Sequence, residues 1–134
     1  MAELEGLELF VEAKSVPPEA DATLIAALRM PRQGTTHVHA FDHRIIARLR
    51  HQDPAISLGV LSASYPVDPI EQVKRAGANT LWQQATLIDR ALVAACRHGG
   101  ISLIAWTVND REEAKALTAL GVDGLCGNWP ERLR

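Results

Sequence analysis

Apolar and polar positions along this chain repeat with two periods, one typical of strands and one typical of helices. Residues 101–106 alternate, so that Ser102, Ile104 and Trp106 project to one side of an extended segment. After Asn109 the apolar residues follow helical spacing as far as Gly121, and residues 122–126 return to the strand pattern. The pattern predicts a β-α-β unit, whose functional residues lie where strand gives way to helix.

The same unit recurs along the whole chain without a linker. The predicted strands cover residues 7–13, 36–40, 57–61, 80–83, 101–106 and 122–126. The predicted helices cover residues 19–30, 42–50, 69–76, 87–98 and the segment between Asn109 and Gly121. The polar residues predicted to cap the later helices are Asp42, Asp68, Thr86 and Asn109. About six strands and five helices in strict alternation predict the α/β class, with a parallel sheet or barrel.

A complete (β/α)8 barrel needs about 250 residues and eight strands. This chain has 134 residues, so we expect a partial TIM-type (β/α) barrel formed by a single domain, residues 1–134. The first and last strands of such a partial barrel would expose unpaired backbone edges, which are a liability in a folded protein. A homodimer, a complementing chain or missing residues would cover them.

Composition and charge narrow the classes of partner. A hydrophobic content of 47% is ample for a core, and a net charge of −2 without a basic stripe argues against nucleic-acid and anionic-membrane binding. No apolar run approaches the roughly 20 residues of a membrane span, and the first residues lack the pattern of a signal peptide. Cys96 and Cys126 form no CxxC motif and are expected to be reduced, small buried residues. We therefore expect a cytoplasmic protein.

The first predicted strand carries the clearest chemical signal. One of its faces is apolar and is expected to pack against helices, so its other face points into the barrel and includes Glu12 and Lys14. Both lie at the carboxyl end of the strand, where barrel active sites are found. Glu12 could bind a hard divalent cation and Lys14 could offset the charge of a phosphate. The alternative is a solvated ion pair at the barrel rim.

A second arrangement of candidate ligands involves histidines. His37 and His39 lie two apart on a strand and project to the same side, and Asp42 and His43 follow closely. Some barrel metallohydrolases use this spacing for zinc, so a histidine-based zinc hydrolase is an alternative. The sequence identifies no third ligand, and His37 lies near the start of its strand. Satisfied or solvated histidines are the explanation of the pattern that we prefer.

Five short motifs resemble, in order and spacing, those of the glycerophosphodiester phosphodiesterase family of metal-dependent (β/α)8-barrel hydrolases. They are FVEAKS at residues 10–15, AFDH at 40–43, LGVL at 58–61, AWTVND at 105–110 and GVDGL at 121–125, with Pro130 following. AWTVND is the most specific match. The resemblance extends over residues 7–130 and implies that the chain corresponds to strands 3 to 8 of the family's barrel.

The resemblance implies a function and a set of roles. Glu12 matches a carboxylate ligand of the family's divalent cation, Mg²⁺ or Ca²⁺, and Lys14 matches a lysine near the phosphate. Phe41 and Trp106 match aromatic residues that line the substrate pocket. The implied reaction hydrolyses a glycerophosphodiester to glycerol 3-phosphate and an alcohol, a step of glycerol and lipid metabolism.

Some family motifs have no counterpart in this chain. The H-R-G motif, a further glutamate, the E-x-D pair and a second histidine are missing, so no catalytic residue is identified here and only Glu12 of three carboxylate ligands remains. The family's terminal T-D-x-P also reads Gly127, Asn128, Trp129, Pro130. The expectation is an N-terminally truncated domain that needs the missing part or a partner chain. The alternative is a non-catalytic remnant or assembly subunit of the same fold.

Overall fold

Strands and helices alternate through the computed structural model, which describes residues 7–31 and 33–133. The strands are β1 Leu9–Glu12, β2 Thr36–Ala40, β3 Ser57–Ser62, β4 Thr80–Gln84, β5 Ser102–Trp106 and β6 Gly124–Leu125. The helices are α1 Asp21–Leu28, α2 His43–Gln52, α3 Pro69–Arg75, α4 Arg90–Gly99 and α5 Arg111–Leu120. Short 3₁₀ turns occupy Pro18–Ala20, Ala85–Leu87 and Pro130–Arg132.

The six strands form one sheet whose spatial order is the order of the sequence. Every neighbouring pair is parallel, from the β1–β2 pair to the β5–β6 pair. Each strand is joined to the next by one helix, which is the β-α-β connection that parallel pairing requires. The predicted partial barrel is confirmed as a half-barrel of six parallel strands with five helices. Within the described residues, β1 and β6 each pair on one side only.

The first strand and the first helix are shorter than their sequence patterns predict. β1 was expected over residues 7–13, but its pairing with β2 runs only from Leu9, opposite Thr36, to Glu12, opposite His39. Because β1 is an edge strand, its length is limited by its single neighbour. The first helix was expected over residues 19–30, whereas α1 is Asp21–Leu28 after a 3₁₀ turn.

Aspartate side chains cap the amino ends of four of the five helices. Asp42 accepts a hydrogen bond from the Arg44 amide and Asp68 accepts from the Ile70 and Glu71 amides, which confirms these two predicted caps. The predictions of Thr86 and Asn109 as caps are wrong. Asp89 and Asp110 cap α4 and α5 by accepting from the amides of Leu92 and Glu113. A carboxylate also gains from the positive end of the helix dipole, which favours Asp over Thr or Asn.

The main hydrophobic core lies between the sheet and its helices. Val38, Leu58 and Leu81 point from the strands toward the helices and are fully or almost fully buried. They pack in one cluster with helix residues Ile45, Ile46, Leu49, Val73, Leu92, Val93 and Cys96. We call this side of the sheet the outer face and the opposite side, which faces the barrel interior, the inner face.

Two ion pairs connect the helices across this layer. Asp21 at the start of α1 is buried and accepts hydrogen bonds from Arg48 at 2.8 and 3.1 Å. Asp53, also buried, accepts from Arg29 Nε at 3.0 Å. A buried carboxylate needs such partners, because leaving its charge unpaired would cost several kcal/mol (roughly 3–5).

The outer side of β1 is only partly covered. Val11 and Ala13 pack against the core as expected, whereas Leu7 and Leu9 are exposed. The expectation that the apolar face of this strand packs against helices is therefore wrong for Leu7 and Leu9, which lie at the start of an edge strand. In the described part of the chain, none of the helices has the length and apolar character needed to span a bilayer.

Candidate functional site

The inner face of the half-barrel carries the side chains that could bind a ligand or take part in a reaction. Alternation along the strands brings Phe10 and Glu12 of β1 beside His37 and His39 of β2, as their register shows. Trp82 of β4 lies on the same face and contacts two of these side chains. The inner face therefore combines aromatic rings, imidazoles and a carboxylate, while the outer face is mostly aliphatic.

Four rings pack against one another across this face. Phe10 stacks on His37 with 4.5 Å between ring centroids, and Trp82 stacks on His39 at 4.0 Å. Phe10 and Trp82 meet edge to face at 5.5 Å. The rings connect β1, β2 and β4, so they form a layer of the barrel interior rather than isolated surface side chains.

Gly59 on β3 makes the stack of Trp82 on His39 possible. A Cβ atom at position 59 would lie 2.9 Å from two atoms of the Trp82 indole ring, closer than nonbonded atoms allow. The absence of a side chain lets the ring cross β3 and reach His39 on β2. The Trp82 backbone is held in turn, because Trp106 Nε1 donates a hydrogen bond to its carbonyl oxygen at 2.9 Å.

Glu12 and Lys14 meet at the carboxyl end of β1, as the sequence predicted. Lys14 Nζ lies 2.7 Å from Glu12 Oε1, and the side chains are 79% and 30% exposed, respectively. An ion pair this exposed contributes at most about 1 kcal/mol, because water screens it. The Lys14 ammonium can therefore leave Glu12 for a stronger anion at little cost, and the carboxylate can accept another cation.

His39 is the most unusual ionisable group of the inner face. Only 7% of the residue is exposed, and burial lowers the pKa of its imidazole to about 4, although the nearby Glu12 carboxylate opposes that shift. The ring is therefore neutral at neutral pH. Its Nδ1 is buried and has no hydrogen-bond partner within the described residues. Buried polar atoms are almost always satisfied, so this nitrogen calls for an explanation.

His37 and His43 are bound differently from His39. His37 Nδ1 lies 2.7 Å from Ser57 Oγ, and its Nε2 lies 3.5 Å from Glu8 Oε2 near the start of the strand. His43 Nε2 contacts the Leu61 carbonyl oxygen at 2.8 Å. No group of three or more His, Cys, Asp or Glu side chains suited to a metal ion occurs in the described part of the chain.

Phe41 and Trp106, predicted to line a substrate pocket, are brought together at the rim. They follow β2 and end β5, and their rings meet edge to face with centroids 5.4 Å apart. Phe41 is largely exposed, whereas Trp106 is partly buried. The pair lies at the carboxyl ends of the strands, the same end of the half-barrel as Glu12 and Lys14.

An open groove of about 520 Å³ runs along the inner face. Both edges of the sheet contribute to it, Phe10 from β1 and Leu125 from β6, and Trp82 and Ile104 lie between them. We call this cavity the inner groove. In a closed barrel this space is filled by inward side chains of further strands.

The segment after β6 explains one departure from the family pattern. Gly127 stands where the family has a threonine, and a Cβ atom at this position would overlap the Val108 carbonyl oxygen. Asn109 Oδ1 accepts a hydrogen bond from the Asn128 amide at 2.9 Å, so Asn109 fixes this segment instead of capping α5. The close approach of the two backbone segments requires glycine here.

The two cysteines are free, as expected, but they differ in environment. Cys96 is buried in the outer core, and burial raises the pKa of its thiol to about 11. The prediction that Cys126 is also buried is wrong, because it is exposed next to the inner groove. β6 is an edge strand in this half-barrel, so no neighbouring strand covers the residue that follows it.

The sequence singled out Glu12, Lys14, Phe41 and Trp106 as candidates, and these remain predictions, but it did not single out the stack of rings in the barrel interior. Trp82 was assigned only to a strand, and Gly59 was not singled out at all. A signal was present, since Trp82 alternates with buried Leu81 and must therefore face the barrel interior. That it reaches across β3 to His39 could not be read from spacing.

Comparisons with known proteins agree with this geometry. The model of the glycerophosphoryl diester phosphodiesterase family matches residues 10–132. YhdW of Bacillus subtilis (strain 168), which carries a provisional glycerophosphodiester phosphodiesterase name, is 30% identical over 97 residues, or 70% of this chain and 40% of the relative. The glycerophosphodiester phosphodiesterase of Caldanaerobacter subterraneus subsp. tengcongensis (strain DSM 15242) is 28% identical over 72% of this chain and 40% of its own length.

A solved structure shows the same fold. An Oleispira antarctica phosphodiesterase, determined in complex with the product sn-glycerol-3-phosphate, superposes with a TM-score of 0.87 at 20% identity. The superposition covers 96% of this chain and 54% of the other. The chain thus spans about half the length of the proteins it matches. Because the family model covers nearly all of it, the chain belongs to the glycerophosphoryl diester phosphodiesterase family.

Proposed function

We propose that this chain is the cation- and phosphate-binding part of a metal-dependent glycerophosphodiester phosphodiesterase. The reaction hydrolyses a glycerophosphodiester to glycerol 3-phosphate and an alcohol. The observation that carries the proposal is the adjacent carboxylate and ammonium of Glu12 and Lys14, 2.7 Å apart, where β1 meets the inner face. Membership of the family supplies the reaction class.

Glu12 would bind the divalent cation, Mg²⁺ or Ca²⁺, through its carboxylate oxygens. Its side chain is partly exposed, so a cation can reach it without rearrangement of the core. A bound cation would polarise the phosphoryl group and offset its negative charge. Lys14 would turn from Glu12 to a phosphate oxygen, because its ion pair with Glu12 is weak and exposed.

Phe41 and Trp106 would form one wall of the substrate pocket. Their edge-to-face contact at the rim presents apolar ring surface beside the proposed phosphate site, which suits the carbon skeleton of a glycerol group. The Oleispira antarctica phosphodiesterase was determined with sn-glycerol-3-phosphate bound, and its shared fold supports this class of ligand.

The remaining catalytic groups would come from outside this chain. One carboxylate is too few for a divalent cation, and the described residues contain no cluster of three candidate ligands. The matched relatives are more than twice as long as the aligned region. A complementing chain would supply these groups. Either that chain or a homodimer that joins two half-barrels would bury the inner groove and the edges of β1 and β6. We place this assembly in the cytoplasm.

A non-catalytic assembly subunit is the second candidate. The open edges and the incomplete ligand set favour it, because both can persist in a protein that only recruits a partner. It predicts tight association without hydrolysis.

The test is release of glycerol 3-phosphate from glycerophosphocholine by the purified chain together with any complementing chain that co-purifies with it, with Mg²⁺ or Ca²⁺. We expect Glu12→Gln to abolish release, whereas Glu71→Gln, which changes an exposed carboxylate paired with Arg75 on α3, leaves it unchanged. Sedimentation of the same samples measures the oligomeric state. Absence of hydrolysis from a stable assembly would reject the catalytic proposal in favour of the assembly subunit.

A further inference from the structure

Glu12 and His39 lie side by side on the inner face. They are register partners on the parallel strands β1 and β2, and residues paired in this way project to the same side of a sheet. Among the charged groups that influence the His39 imidazole, the Glu12 carboxylate has the largest effect. A carboxylate and an imidazole are therefore neighbours at the carboxyl end of the first two strands.

His37 and His39 differ in the partners of their imidazole rings. His37 Nδ1 has Ser57 Oγ within hydrogen-bond distance, and its buried Nε2, which makes no hydrogen bond in the described part of the chain, lies 3.5 Å from the Glu8 carboxylate. His39 Nδ1 is buried and has neither kind of partner among the described residues. More than nine-tenths of His39 is buried. An unsatisfied nitrogen in such a place indicates a missing ligand rather than a solvated side chain.

The surroundings hold the His39 ring in one plane. Trp82 lies parallel to it, with 4.0 Å between centroids and an interplanar angle of 17°. Gly59 provides the space for this stack. An imidazole binds a metal ion through a nitrogen lone pair in the ring plane, so an indole on the ring face does not occupy that lone pair and limits the ring to in-plane contacts.

We propose that His39 supplies a nitrogen ligand to the cation bound by Glu12, so that the site prefers Zn²⁺ to Mg²⁺ and Ca²⁺. Imidazole suits Zn²⁺, whereas a site of oxygen ligands alone suits Mg²⁺ and Ca²⁺. The inference rests on the proposed role of Glu12 as a cation ligand. It differs from a paired-histidine site, because His37 already contacts Ser57 and stacks on Phe10.

The test follows the ring nitrogens of all five histidines by ¹⁵N nuclear magnetic resonance while zinc is added to the 134-residue chain. We expect a ring nitrogen of His39 to shift by the amount typical of metal coordination, while His37 remains unchanged. Glu12→Gln and His39→Gln should each weaken zinc binding at least about tenfold, measured by calorimetry. His37→Gln, the matched control on the same strand face, should leave zinc affinity unchanged.

The outcomes separate this inference from the proposed function. Zinc binding that is unaffected by His39→Gln, or no shift of the His39 nitrogens in the wild-type chain, overturns the inference. An equal loss with His37→Gln also overturns it, in favour of a paired-histidine site. Hydrolysis that depends on Glu12 but not on His39, with Mg²⁺ preferred, would leave the proposed function standing without the inference. Zinc coordination by His39 in a chain that hydrolyses nothing would support the inference and reject the proposed function.

Discussion

The two faces of the sheet differ in how completely they are covered. On the outer face, strand residues such as Leu81 and helix residues such as Leu49 are fully buried. On the inner face, Phe10 is 43% exposed although it contacts two other rings, and an open groove extends from β1 to β6. The outer face therefore accounts for the stability of the chain, and the inner face holds its candidate chemistry.

The difference follows from the connections between the strands. Every β-α-β connection returns its helix to the same side of a parallel sheet, so five helices accumulate on the outer face. The inner face can be covered only by more strands or by another molecule. Helical packing thus completes one side within this chain and leaves the other side available for binding.

The largest expected effect is on core stability, where a covered part of the outer face differs from its uncovered edge at β1. Leu49→Ala removes a fully buried side chain and should lower the free energy of unfolding by about 2–5 kcal/mol. Leu9→Ala makes the same chemical change at a residue that is 43% exposed on β1 and should cost less than about 1 kcal/mol. Urea unfolding measures both. Similar losses would show that the outer side of β1 is covered in solution.

A smaller effect is expected from Gly59→Ala on the inner face. The new methyl group would collide with the Trp82 ring, and relieving that contact should cost about 1–3 kcal/mol and separate the ring from His39. Tryptophan fluorescence should change with it. Gly100→Ala is the matched control, since its Cβ would meet no atom within 4 Å. It should cost about 1 kcal/mol through its positive φ alone, without a spectral change.

A pH-dependent effect is expected from the polar contacts of the outer layer. The Ala55 amide and the Arg29 guanidinium lower the pKa of the Asp53 carboxyl below its usual value. Because the folded state holds this carboxylate ionised, its contribution to stability is present above the unfolded pKa and is lost as pH falls through the lower folded value. Asp53→Asn should therefore destabilise the chain at pH 7, and the difference from wild type should shrink toward pH 2. A constant difference would contradict this assignment.

Thiol labelling is expected to have the smallest effect on the fold. It should nevertheless distinguish the two faces by the reactivity of their cysteines. An aromatic disulfide reagent should modify exposed Cys126 in the native chain. Cys96 should react only after unfolding, because it is buried and its pKa is raised to about 11. Cys126→Ser should remove the native reaction. Two thiols that react equally fast in the folded chain would show that the outer core opens readily.

Much of the architecture and part of the site could be predicted from local patterns. Alternation and helical spacing located the six strands and five helices, and the family motifs located Glu12, Lys14, Phe41 and Trp106. The first residues of the helices were harder to predict. Thr86 and Asp89 are both good caps, and which of them caps α4 depends on where β4 ends and the 3₁₀ turn after it begins. The interior of the site was harder still, because Trp82 reaches His39 over a strand that lies between them.

The sequence by itself determined the class of fold, the inward direction of Glu12 and the family, because these depend on residue period and on motifs that are short in sequence. Only the tertiary structure decided which inward side chains touch, that Gly59 admits the Trp82 ring, and that Gly127 must lack a side chain beside Val108. Such contacts join residues that are far apart in the chain. They depend on strand register and on the space left between backbones, which no local pattern encodes.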